Sequence, residues 1–273
     1  MLILLAAIWL SLALAMASGW LIQWRADDGG WTDVIWTFAM GGVGAGAALI
    51  PQPGAAAPDL RQALLAALFA AWALRLGLHI LRRVRRGPED ARYAKLKRDW
   101  APNSQKMMLA FLQLQALAGA LLLASLAAAA QTGGAGLGPR GALGLAVLAV
   151  AILGEAAADA QLARFGADPA HHGQVCDVGL WAWSRHPNYF FQWLSWTAYP
   201  VMALDVHAPW SWLTLLAPAY MYYLLRFVSG VPPLEAHMLA TRGAAFRAYQ
   251  ARVSLFFPRP PRPGPARLTE MTP

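Results

Sequence analysis

The sequence predicts an all-helical, polytopic membrane protein of about seven transmembrane helices, and three observations carry that prediction. Hydrophobic residues make up 58% of the 273 positions and charged residues only 13%, about half the charged fraction of a soluble domain. The apolar residues fall in runs of about 20, the length of helix that crosses a bilayer. Basic residues cluster beside the ends of these runs, where cytoplasmic loops meet lipid headgroups. Together these features exclude a soluble enzyme, a secreted disulfide scaffold and a disordered chain. The net charge of +8 lacks the basic face on a polar domain that nucleic acid would require, so no nucleic-acid partner is expected. The single cysteine, Cys176, cannot form an internal disulfide.

The first segment, 1–24, opens without Lys or Arg. A secretory signal would begin with a positive region, so this segment reads as a retained helix with its N-terminus outside. Six more segments follow at 31–50, 60–81, 107–130, 141–162, 185–204 and 209–229. The first five are rich in Ala, Leu and Gly, which let helices approach closely in lipid. The sixth opens on Arg185-His186-Pro187-Asn188; the proline disfavours helix at His186 and suits the first turn of a new one. Residues 82–106 read as a loop crowded with basic residues. If that loop is cytoplasmic, only Arg61 and Arg140 of the 22 basic residues lie outside, which predicts N-out, C-in. Residues 233–256 alternate Leu234, Met238, Phe246, Tyr249, Val253 and Phe256 with Glu235, Arg242, Arg247 and Arg252, as an interfacial amphipathic helix does. The chain thus reads as one membrane domain, 1–257, and a Pro/Arg-rich tail, 258–273. His171-His172 reads as a solvated polar loop, and no metal site is expected.

Ionisable side chains inside apolar runs are costly, and by default they raise a functional hypothesis. Asp33, between Trp31 and Trp36, suits either an interfacial anchor or a site. Trp72, Arg75, His79, Arg82 and Arg86 recur at spacings of three and four and share one helical face. Guanidinium groups there suit a phosphate-bearing ligand; snorkelling into headgroups explains Arg82 and Arg86 but explains Arg75 poorly. Glu155 and Asp159 lie one turn apart, so their repulsion needs an offset. Arg75, Arg185, Arg226, a ligand's donors or an ion pair between helices could each supply it. The start of the sixth segment, flanked by Arg185, His186 and Asn188 and joined in this set by Arg226, is a candidate anion site.

The run Arg185-His186-Pro187-Asn188-Tyr189 follows Gly179-Leu180-Trp181, with Asp159 upstream and Phe246-Arg247-Ala248-Tyr249-Gln250 downstream. With Asp33-Val34-Ile35-Trp36, Leu74-Arg75-Leu76 and Glu89-Asp90-Ala91-Arg92-Tyr93, this resembles the steroid 5-alpha-reductase superfamily, in its bacterial branch of mostly uncharacterised membrane proteins. The likeness runs from about Asp33 to Arg262. The Arg-His-Pro motif is shared with sterol reductases and isoprenylcysteine methyltransferases; asparagine after the proline favours the reductase side.

The resemblance implies a multi-pass protein of the bacterial inner membrane that binds NADPH from the cytoplasm. It would reduce a carbon–carbon double bond conjugated to a ketone, in a steroid or other lipid entering from the bilayer. Asp159, Arg164, Arg185, Asn188 and Arg226 fall where the family contacts its cofactor, and His79 and Arg86 where it holds the adenosine and phosphate end; Arg75 and His186, beside them, complete the candidate cofactor-binding set. Asp33, Trp72 and Tyr189 are the candidate catalytic residues. Trp72 stands where steroid reductases place a tyrosine that donates to the substrate carbonyl, and Gln192 where they carry a glutamate. An indole N–H donates a hydrogen bond but does not readily transfer a proton. The alternative function is an S-adenosylmethionine-dependent lipid or isoprenylcysteine-type methyltransferase, whose sulfonium cofactor needs few arginines.

Overall fold

The computed structural model describes residues 1–132 and 136–262, and among these residues the regular structure is all helical, without a strand. The helices are α1 (Leu2–Ala26), α2 (Gly30–Ala48), α3 (Leu60–Arg86), α4 (Ala91–Asp99), α5 (Ser104–Thr132), α6 (Pro139–Ala167), α7 (Pro187–Ala203), α8 (Leu216–Tyr223) and α9 (Val231–Arg252). Four of them, α1, α3, α5 and α6, are long and apolar enough to cross a membrane. Each of the seven apolar segments is helical, with differences at the ends. The seventh is a composite: a 3-10 stretch over Pro209–Leu215, then α8, then a π-helical turn over Leu224–Val228. The stretch expected as a loop is largely helix, because α3 continues to Arg86 and α4 follows. Residues 263–273 of the expected tail lie outside the described residues.

The chain forms two compact units. The first comprises Met1–Ala146 and Thr197–Ala217. Here α1 packs on α2 and α5, and α2 packs on α3. Small residues make the α2–α3 approach possible: a Cβ on Gly41 would sit 2.2 Å from that of Ala73, and one on Gly44 would sit 2.4 Å from the Phe69 ring. Asp59 starts α3 with a capping box, accepting from the Gln62 amide at 2.8 Å while Gln62 Oε1 accepts from the Asp59 amide.

The two basic residues expected outside both close helix ends. Arg61, fully buried, donates to the carbonyls of Ala129 and Ala130 in the last turn of α5. Arg140 donates to Leu204 O just beyond α7. Gln62 does the same for α2, donating to Ala48 O and Ile50 O. Helix C-termini leave carbonyls unpaired and carry partial negative charge, so a cation there serves both needs.

The second unit comprises Val147–Trp196 and the chain from Pro218 onward. Gly154 lets α6 meet Phe191 of α7, where a Cβ would lie 2.4 Å from the ring. After α9 the chain runs back as an extended strap, residues 253–262. Two backbone bonds tie the strap to the segment before α7, Arg185 N to Ser254 O at 2.8 Å and Arg259 N to Trp183 O at 2.9 Å. Phe256 and Phe257 of the strap meet Trp193 and Tyr222 in an edge-to-face aromatic cluster.

α9 departs from the amphipathic expectation. Gly243 (φ 47, ψ −115) breaks it into two helices. Phe246, Tyr249 and Val253 are buried against Val175, Met238 and Leu239, so this apolar pattern fills a protein core.

Candidate functional site

The sequence-predicted residues divide between the units. In the second, the Arg-His-Pro turn is over-determined by its neighbours. Ser184 Oγ donates to Phe256 O at 2.8 Å and accepts from the His186 amide at 3.1 Å. Tyr249 donates to Trp181 O at 2.6 Å, and the Trp181 indole donates to Ala158 O at 3.0 Å. Gly179, at φ +59, makes the close turn onto Gln161 that precedes this segment. Pro187 then opens α7, with its first helical bond from the Phe190 amide to His186 O.

Glu235 of α9 organises the turn's side chains. Its carboxylate accepts from Arg185 Nε at 2.7 Å and Gln250 Nε2 at 2.8 Å, and lies 3.1 Å from His186 Nε2. Burial pushes this carboxyl up, but the hydrogen bonds from His186 and Arg185 and the Arg185 charge outweigh it and hold it down at about 2. Arg185 also donates to the carbonyls of Gln250 and Val253, so its guanidinium is fixed on three sides. His186 is 2% exposed and its ring stacks on Tyr189 at 5.4 Å. Its Nδ1 is buried and makes no hydrogen bond among the described residues.

Asn188, in the first turn of α7, donates to Asp159 Oδ1 at 3.3 Å and accepts from the Tyr189 amide at 3.0 Å. The amide therefore answers the Asp159 carboxylate directly, a partner the sequence had not suggested; Arg185 is turned to Glu235 instead. Arg164 is exposed near the end of α6. Arg226 lies in the π-helical turn, its guanidinium 4.9 Å from the Phe227 ring centre. Of the histidine pair, His171 stacks on Phe165 at 4.2 Å and faces Asp168 at 3.4 Å.

In the first unit, Asp33 joins α2 to α4. It accepts from the Tyr93 hydroxyl at 2.6 Å and from Arg92 at 2.9 Å, with Arg83 at 3.8 Å. Tyr93 is 3% exposed, and burial together with the adjacent Asp33 charge pushes its hydroxyl well above the usual range. Trp72 is buried and stacks on Phe69 at 5.1 Å. Along the α3 face Arg75 is half-buried, while His79, Arg82 and Arg86 are exposed. Among the described residues these three make no ion pair.

Glu235 is the residue that sequence reading passed over. Its signal was present but faint: a lone acid after Pro232-Pro233 in a segment whose other charges, Arg242, Arg247 and Arg252, are basic.

No curated protein and no solved structure matches the chain. Residues 19–253 match a family described as a protein of unknown function, DUF1295. That match takes in α2 to α9, the Asp33 cluster and the whole Glu235 knot, and the chain therefore belongs to the DUF1295 family.

Proposed function

We propose that the protein is an integral-membrane, NADPH-dependent reductase of a carbon–carbon double bond conjugated to a ketone in a steroid or other lipid. The observation that carries this reading is the turn at the start of α7. There Glu235 fixes Arg185 and His186, Asp159 orients the Asn188 amide, and His186 Nδ1 is buried without a hydrogen bond among the described residues. A buried polar atom without a partner is rare in a native fold, and a donor on a ligand is one way to satisfy it. If His186 Nε2 carries the proton toward Glu235, Nδ1 is an acceptor waiting for a donor.

The residues suit a phosphate-rich dinucleotide better than a sulfonium cofactor. Among the described residues, His79, Arg82 and Arg86 form an exposed row that makes no ion pair in the first unit, and Arg226 makes none in the second. The cofactor, when bound, supplies the hydride. The chain's part is to hold it and to exclude water: the Arg185 guanidinium and the Asn188 amide are donors whose directions are set in advance, which lowers the entropy lost on binding. Trp72 and Tyr189 are the proposed donors toward the substrate carbonyl, where a hydrogen bond stabilises a developing enolate. The proposal includes seven membrane spans, an outside N-terminus, a cytoplasmic C-terminus and residence in a bacterial inner membrane.

The test is to purify the protein in mild detergent, denature it, and identify the released nucleotide by mass spectrometry, followed by titration with each cofactor. NADPH or NADP supports the reading; S-adenosylmethionine or its demethylated product moves the protein to the methyltransferases. Asn188→Ala is expected to weaken NADPH binding by about 1.5–3 kcal/mol, the loss of a hydrogen bond to a charged group. Wild-type nucleotide fluorescence titration in that variant would remove Asn188 from the site.

A further inference from the structure

We propose that the arginine-lined cavity of the second unit is a binding site for a phosphate ester. The cavity is about 380 Å3, and Arg185, Arg226, Arg252, Arg259 and Arg262 line it, with no Asp or Glu among its lining residues. Two of these charges are already answered: Arg185 pairs with Glu235 and Arg252 with Asp177, each at 2.7 Å. Arg226, Arg259 and Arg262 make no ion pair among the described residues. Cations gathered around one concavity repel one another, and an anion placed among them removes that penalty.

The chemistry of the lining narrows the ligand. Guanidinium groups match phosphate oxygens in bidentate fashion. The volume exceeds that of a bare phosphate and falls within the range of small-molecule pockets, so the phosphate should carry an organic group. Tyr222 and Phe257 provide the wall for it, stacked on each other at 6.0 Å and lining the same cavity. The strap presents the outer arginines through its backbone. Arg259 N donates to Trp183 O and Arg262 N to Arg252 O, both at 2.9 Å, so these positions are set before any ligand arrives.

A phosphate ester could reach this cavity as the headgroup of an anionic lipid or as a soluble nucleotide. The proposal rests on the reductase reading for Arg185 and Arg226, which line this cavity too, and deepens it by adding Arg252, Arg259 and Arg262, which have no part in that reading. Purified full-length protein is titrated by calorimetry with 2′,5′-ADP and, separately, with phosphatidic acid in nanodiscs, with phosphatidylcholine as the zwitterionic control. R259Q/R262Q keeps both backbone bonds and is expected to weaken binding roughly tenfold or more for each guanidinium lost. R259K/R262K should recover part of that loss, and R98Q, an exposed arginine on α4, should bind as the wild type does. Saturable binding with this pattern supports the site, and the probe that shows it identifies the source. The proposal is overturned if neither probe binds the wild type, or if R98Q weakens binding as much as R259Q/R262Q. It is also overturned if Asn188→Ala abolishes phosphate binding while R259Q/R262Q leaves it intact, an outcome under which the reductase reading stands.

Discussion

Glu235 accepts hydrogen bonds from Arg185 and Gln250 and contacts His186, so its removal leaves a largely buried guanidinium, 11% exposed, without its counter-charge. Glu235→Gln is therefore expected to destabilise the fold by about 3 kcal/mol, read as a lower thermal midpoint in detergent. The pH dependence has a definite sign. The carboxyl titrates at about 2 when folded against an ordinary 4.5, so its contribution is complete above 4.5 and disappears as pH falls toward 2. Wild-type stability should drop through that window, and the Glu235→Gln profile should be flatter there; parallel profiles would deny Glu235 this role. At this scale the motif around Arg185, His186 and Asn188 was legible because its residues are adjacent. Glu235 was not, because it lies 50 residues away from the arginine it holds, and nothing local announces the pairing.

Among the elements, the α2–α3 pair depends on backbone proximity. Gly41→Leu would place a branched side chain where even a Cβ meets Ala73 at 2.2 Å, and overpacking of this kind costs about 1–3 kcal/mol or more. A thermal midpoint unchanged from wild type would contradict that packing. In α9, Gly243 holds a backbone conformation that side-chain-bearing residues avoid, so Gly243→Ala should cost about 1–3 kcal/mol. A continuous helix across 243 in the variant would show instead that the break is not required. The long apolar helices could be read from composition, since length and hydropathy decide them. α4 could not. It is short and polar, with Tyr93 its one buried residue, and its place depends on Tyr93 and Arg92 reaching Asp33 across about 60 positions of chain. The π-helical turn at Leu224–Val228 was equally hidden, because it differs from α-helix only in which carbonyl each amide meets.

For the molecule as a whole, charge placement predicts that the C-terminal end faces the cytoplasm. A reporter active only outside, fused after Phe257, should be silent, and one active in the cytoplasm should work; the reverse result would invert the proposed orientation. The sequence by itself determined the all-helical membrane class, the positions of the apolar segments and the Arg-His-Pro-Asn turn. Those properties follow from length, hydropathy and adjacent residues, all of which are local. Only the tertiary structure decided that Arg61 and Arg140 close helix ends, that Asp33 receives Tyr93, that Asn188 answers Asp159 and that Glu235 fixes Arg185 and His186. It also decided that five arginines from three stretches of chain line one cavity. Each of these is a pairing between residues distant in sequence. In a chain of mostly apolar helices many partners are possible for each charge, and packing alone selects which one is met.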